Sequence, residues 1–302
     1  MEKNNKHDVI IVGGSYAGLS AAMSLARAIR NVLIIDSGKP CNRQTPHSHN
    51  FLTQDGKPPK VISSIALEQV LAYDTVNFLT DEVLFAAGKN GAFFVRTASG
   101  KQFEASKLLF ATGLKDILPT VSGIAECWGI SVIHCPYCHG YEYRNQSTGL
   151  LLNGESVLEK ARLIRNWASD LTVLTNGPST FDNADKETLS RNNIQLIEKP
   201  IALLKHYEGQ LDHIIFEDGT EISVKALYAP PRFEQQSQIP KNIGCAITST
   251  GHIEVNNFQQ TSIPGIYAAG DNATMFRSVS AAVAAGSIAG AFINHELIGE
   301  GV

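Results

Sequence analysis

HDVIIVGGSYAGLSAAMSLARAIRNVLIID spans residues 7–36 and decides the fold. An apolar, β-branched run from His7 to Val12 enters two adjacent glycines. An alanine-rich stretch with helical spacing follows, and a second apolar run ends at Asp36. That order predicts strand, glycine turn, helix, strand. Gly13 lets the chain turn tightly and Gly18 lets helix and strand approach. The helix N-terminus then presents unpaired N–H groups to a pyrophosphate. Asp36 falls roughly twenty residues beyond the glycines, where an acid accepts hydrogen bonds from ribose hydroxyls. Ser15 replaces the middle glycine of the GxGxxG pattern and crowds the phosphate. A plain strand-to-helix turn is the competing account of a lone loop of this type.

Beyond Asp36, residues 37–60 are polar and rich in turn formers, so they predict a loop. Arg43 and Asn50 are its candidate adenosine and ring-edge contacts, with solvated loop residues as the alternative. His47 and His49 lack a partner at ligand spacing, which leaves no metal assignment. Apolar residues from Val61 to Tyr73 recur at helical spacing. Alternating runs then form a small meander returning to the main sheet through LLFATG, which stops at Gly113. Pro119 lies in a predicted linker. Past it comes HCPYCHGYE, residues 134–142. Cys135 and Cys138 at this spacing can close and reopen a disulfide ring by exchange. Half of a zinc site is the alternative, but it needs a second pair, and Cys41, Cys127 and Cys245 are isolated. These three are expected to be buried small residues. Trp128, Tyr137, Tyr141 and Tyr143 cluster around the motif and are candidates for an apolar substrate pocket or for core packing.

Residues 148–177 repeat the order strand, turn, helix, strand, but the turn reads LNGESV. Leu152 holds the place of the first glycine and Val157 that of the small packing residue. No arginine follows the second strand at Thr175-Asn176-Gly177 to hold a 2′-phosphate. The fold signal survives there while the nucleotide signal fades. Near the C-terminus, a turn at Pro264-Gly265 leads to a short strand, Gly270-Asp271 and a long helix. The apolar part of that helix, SVSAAVAAGSIAGAF, is shorter than a membrane span. At 302 residues the chain should form about two domains. A formal charge of -4 gives no basic field for nucleic acid. The N-terminal apolar run leads straight into the glycine loop rather than to a cleavage site, so a cytoplasmic protein without a membrane anchor is expected.

Together, GGSYAGL, the ATG at Ala111 to Gly113, CPYCHGYE and TSIPGIYAAGD at 261–271 resemble the FAD-dependent thioredoxin reductase family over nearly the whole chain. The resemblance implies an α/β chain of two Rossmann-like three-layer nucleotide-binding-type domains, the second inserted into the first. An FAD domain would occupy 1–117 and 246–302. A central NAD(P)-binding-like domain carrying the CxxC motif would occupy 118–245. FAD would lie along Gly13, Gly14, Ser15, Ala17 and Gly18, with adenosine at Asp36, Ser37, Arg43 and Asn50. Ala111, Thr112 and Gly113 would flank it. The ribityl chain would meet Gly270 and Asp271, and the flavin ring the helix start at Arg277 and Ser278.

Two departures shift the expected activity. His139 stands where an acid normally follows the second cysteine, and the second unit lacks the turn that holds NADPH. Both features resemble the dithiol oxidase branch of the family. Cys138 is then the flavin-side cysteine, Cys135 the exchange cysteine, and His139 the acid/base, with His134 as competitor. The expected partner is a small dithiol or disulfide, or a small thioredoxin-like protein, and the expected assembly is a homodimer. A dithiol oxidase passing electrons to oxygen is the leading expectation. A reductase fed by NADPH or a ferredoxin-type donor, and a redox sensor without turnover, are the alternatives.

Overall fold

Strand β1 (Lys6–Val12) is the axis of the molecule. The computed structural model describes residues 5–302, so the first four residues of the N-terminal segment read above lie outside the described residues. Val9, Ile10 and Ile11 are fully buried, because β1 is paired on both edges and covered on both faces. The chain proceeds through α1 (Tyr16–Arg27), β2 (Val32–Asp36), α2 (Pro59–Leu71), β3 (Val76–Thr80), β4 (Val83–Lys89), β5 (Ala92–Thr97) and β6 (Gln102–Phe110). These strands form a sheet in the order β3-β2-β1-β6-β5-β4. Strands β1, β2, β3 and β6 are parallel, and β4 and β5 complete an antiparallel meander.

A short strand β7 (Leu114–Ile117) leads away from this sheet. Then come α3 (Ile124–Cys127), β8 (Val132–Ile133), α4 (Pro136–His139), β9 (Thr148–Leu151), α5 (Val157–Ile164), β10 (Leu171–Leu174), α6 (Asn183–Arg191) and β11 (Gln195–Ile197). An antiparallel ribbon of β12 (Ile201–Tyr207), β13 (Gln210–Phe216) and β14 (Glu221–Ser223) precedes β15 (Ala226–Tyr228). The second sheet is parallel, in the order β11-β10-β9-β15-β8. The chain returns through β16 (Arg232–Gln235), α7 (Ile239–Asn242) and β17 (Ile266–Ala268), and ends in α8 (Val279–Gly299). β17 joins the first sheet parallel to β6, so the second α/β unit is inserted within the first.

The passages between the two units are ordered. Leu114–Ile117 and Arg232–Gln235 pair antiparallel. The stretch expected to be a bare linker begins as a strand, and Pro230-Pro231 ends one ladder only for the next residues to enter another. On one face of the first sheet, α1 and α8 pack so closely that a Cβ on Gly286 would overlap the Ala17 carbonyl oxygen. A Cβ on Gly290 would lie 2.6 Å from the Ala21 oxygen. Helix α8 runs 21 residues, longer than its apolar stretch suggests, and by length and composition it could cross a membrane. Its glycine face is instead spent against α1, and Ser20 Oγ donates to the Val283 carbonyl at 2.7 Å.

Candidate active site

Parallel sheets bind ligands beyond the carboxyl ends of their strands. Here four such ends converge. Val12-Gly13 follows β1, Asp36-Ser37 ends β2, Ala111-Thr112-Gly113 follows β6, and Ala269-Gly270-Asp271 follows β17. All of them line one cavity of about 430 Å³. Ser15, Ala17, Asn50, Arg277 and Ser278 line it too. So do Cys138 and His139 from the inserted unit.

The glycine turn is built for close approach. Gly13 has φ +106°, and a Cβ there would overlap the Ala111 carbonyl oxygen. A Cβ on Gly18 would overlap the Gly13 oxygen, so Gly18 serves helix–strand contact and is not part of the lining. Gly14 is also set back from the cavity. Its N–H donates to Asp36 Oδ2 at 2.7 Å. The other Asp36 oxygen accepts from the Gly38 N–H at 2.7 Å, so the carboxylate is held in place with lone pairs to spare for a ribose. Ser15 occupies the N-cap of α1 in extended conformation but makes no side-chain cap, and the first turn carries no acid. The N-terminal N–H groups of a 12-residue helix therefore remain available beside the cavity for an anion. These features fit the pyrophosphate and ribose of FAD.

At the far end the site is electrostatically organised. Arg277 makes a bidentate ion pair with Asp116 on β7, at 2.7 and 3.2 Å, and its Nε approaches Asp271 at 3.4 Å. Burial raises the Asp271 carboxyl above its ordinary value, while Arg277 opposes the shift. The helix cap of α8 is Ser278, whose Oγ accepts from the Ala281 N–H at 3.1 Å, and not Asp271. The Asp271 carboxylate is thus left facing the cavity, as a hydroxylated chain requires. Asp116 was not singled out from the sequence. It sits in a four-residue strand with no motif around it, and only its pairing with a residue far along the chain gives it a role.

Beyond the glycine turn, two residues differ from expectation. Arg43 is exposed, donates to the Pro40 carbonyl at 3.1 Å and is not among the cavity-lining residues. Its guanidinium closes its own loop, and Lys39 and Gln44 face the cavity from that segment. Cys41 is an exposed thiol lining the cavity, whereas Cys127 and Cys245 are buried.

Cys135 and Cys138 are joined by a disulfide, with Cα atoms 5.3 Å apart. Cys135 is the N-cap residue of α4, and Pro136 opens that helix. Cys138 faces the cavity, while Cys135 lies outside its lining. Gly140 follows because there is no room for a side chain. A Cβ there would meet the Pro136 carbonyl at 2.5 Å and the Trp167 ring at 3.0 Å.

Two histidines flank the sulfurs. Burial, reinforced by His134, lowers His139 to about 4, with Glu142 opposing and His49 adding to the depression. His134 is lowered to about 4 by burial and by Arg277, and its ring stacks on Trp128 at 5.7 Å. Both are neutral imidazoles near pH 7. Beside the closed disulfide, His139 is thus in the proton-accepting form.

The second unit closes its own turn. Asn153 Nδ2 donates to the Thr175 and Pro178 carbonyls at 3.4 and 2.9 Å, and its Oδ1 accepts from the Thr180 N–H at 2.8 Å. Glu198 binds the Ser179 N–H at 2.8 Å, placing a carboxylate on the loop after β10 where a 2′-phosphate would need cations.

The profile of the pyridine nucleotide-disulphide oxidoreductases matches residues 7–286. Thioredoxin reductase tcpT of Claviceps purpurea is 32% identical, covering 99% of this chain and 97% of its own. The crystal structure of the oxidoreductase from Agrobacterium tumefaciens superposes with a TM-score of 0.90 at 35% identity, covering 97% of this chain and 98% of that one. That of HlmI gives 0.93 at 30% identity over 100% and 95%. The chain therefore belongs to the pyridine nucleotide-disulphide oxidoreductases, as a thioredoxin reductase-like, FAD-dependent enzyme acting on sulfur groups.

Proposed function

We propose that the protein is a dithiol oxidase. The observation that carries this reading is the lining of one cavity by Cys138 and His139 together with the glycine turn and Asp271. A substrate dithiol attacks the Cys135–Cys138 bond as a thiolate, loses two electrons and two protons, and leaves as a disulfide. The enzyme bond opens to two thiols. Cys135 is the exchange cysteine and Cys138 the one on the cofactor side. Neutral His139 takes the proton of the incoming thiol. FAD in the cavity supplies the two-electron chemistry that connects the sulfurs to dioxygen, which leaves as hydrogen peroxide.

Oxygen is favoured as acceptor because Asn153 and Glu198 occupy the turn and the loop that NADPH would use. A disulfide reductase supplied by NADPH or a ferredoxin-type donor is the second reading, supported by the name thioredoxin reductase carried by the Claviceps relative. Anaerobic mixing with a small dithiol, NADPH or reduced ferredoxin, followed through flavin absorbance, separates the two. The oxidase reading expects rapid bleaching by dithiol and stoichiometric oxygen uptake on re-aeration. Rapid bleaching by NADPH with none by dithiol would overturn it. A redox sensor would bleach slowly and without turnover.

The division into an FAD unit at 1–117 and 246–302 and a central unit at 118–245 is part of this reading, as the two sheets draw their strands from those ranges. A homodimer is proposed from the family, and exposed Val61 and Ile65 on α2 and Ile288 on α8 offer apolar surface for it. Light scattering at twice the chain mass checks this. A cytoplasmic location accords with three cysteines remaining as free thiols.

A further inference from the structure

A second cavity lies on the outer side of the disulfide helix. It measures about 310 Å³, and His49 and Asn50 line both it and the FAD cavity, so these two residues form the partition. Pro136, which directly follows Cys135, lines it with Tyr137, Tyr141 and Trp167. Tyr137 stands edge-on to Trp167 at 5.5 Å. Tyr137 and Tyr141 are 57% and 64% exposed, an unusual solvent exposure for two aromatic rings beside a reactive bond.

The polar rim of this groove is acidic. Asp55 and Glu142 line it, lying 3.7 and 3.6 Å from the two nitrogens of His49. No lysine or arginine is among the lining residues. Arg144 is outside the lining but lies over the ring of the groove wall Tyr141 at 3.9 Å and donates to the Tyr141 carbonyl at 2.7 Å, so it is a cation at the groove's edge that is not free to bind a substrate carboxylate face-on.

We infer that this groove is the substrate-binding site of the dithiol reaction and that it selects a small, apolar dithiol bearing N–H donors or an ammonium, while disfavouring dithiols with a carboxylate. The inference rests on the dithiol reading above. The volume is at the lower end of small-molecule pockets, which run from roughly 300 to 1,000 Å³, and does not suit a folded protein partner. Aromatic walls take the carbon skeleton. The carboxylates of Asp55 and Glu142 accept N–H bonds, and their charges oppose an anionic substrate across a partly solvated gap.

Dihydrolipoamide and dihydrolipoate test this directly. They carry the same dithiol and differ only in a remote amide or carboxylate, so intrinsic sulfur reactivity cancels in their ratio. Second-order constants for anaerobic flavin bleaching of the holoenzyme should favour the amide by roughly three- to tenfold at low ionic strength. In Glu142→Gln and Asp55→Asn the ratio should shrink toward one, whatever the substitutions do to the absolute rates. Bleaching by both probes with a ratio unchanged in both variants would overturn the groove assignment while leaving the dithiol reading intact. No bleaching of the wild-type holoenzyme by either probe would overturn both.

Discussion

His139 is the residue on which the proton chemistry turns, because its environment fixes its charge. Burial holds it neutral down to about pH 4, whereas in the unfolded chain it titrates near 6.5. Above that window neither state carries the proton. Between 6.5 and about 4 the unfolded chain takes up protons that the folded chain refuses, so stability falls as pH drops. His134, lowered for the same first cause, adds to the fall. Thermal unfolding should therefore occur at lower temperature at pH 5 than at pH 7.5, with a smaller difference in His139→Ala. In the same variant, flavin reduction by dithiol should slow by about 10²–10⁴-fold. Unchanged kinetics would remove His139 from the proposed mechanism. The cysteines and this histidine were legible as a motif. The charge state was not, since it depends on burial, on His49 from the first unit beside His139 and on Arg277 from the far end of the chain beside His134.

At the scale of elements, the seam between α1 and α8 joins the fold to the site. Ala17 lines the cavity on one side and meets Gly286 on the other, and Val279 and Ala282 extend the same wall. Gly286→Val places two methyl groups and a Cβ against a backbone carbonyl that cannot swing away. It should destabilise the protein by about 1–3 kcal/mol in urea denaturation and lower FAD retention on gel filtration. Gly290→Ala, one turn further from the cavity, should cost stability with less loss of flavin. Full flavin retention in Gly286→Val would dissociate the seam from the site. The β1–α1–β2 unit was legible because a buried parallel strand, a glycine turn and an alanine-rich helix each leave a local signature. Helix α2 begins at Pro59, ahead of the apolar spacing from Val61, because proline is preorganised for the first helical position. Strands β7 and β16 were not legible. Each is four residues long, and each exists only because its partner lies more than a hundred residues away.

On the scale of the whole molecule, the inserted unit sits so that one short helix, α4, serves two compartments. Its inner side carries Cys138 and His139 to the FAD cavity, and Pro136 and Tyr137 face the outer groove. His49 on the first unit reaches Glu142 on the second, and Arg277 reaches Asp116 on the connecting strand. Cys138 faces the cofactor cavity, and Cys135 is followed directly by a lining residue of the outer groove, so the oxidase reading has a small dithiol exchange at Cys135 from that side with no relative movement of the units. A protein disulfide, too large for a groove of about 310 Å³, would require the units to part. Locking them together separates these cases. A Cβ built on Gly129 of the inserted unit lies 3.0 Å from Thr45 Oγ1 of the first, close to the spacing a disulfide bridges. The Thr45→Cys/Gly129→Cys protein, oxidised, should retain dithiol-driven oxygen uptake at a rate similar to that of its own reduced form. Comparing the two forms of one protein cancels the strain of a side chain at φ +76°. If oxidation abolished turnover and reduction restored it, movement between the units would be part of the cycle, and the case for a small-molecule oxidase working in this one arrangement would fail.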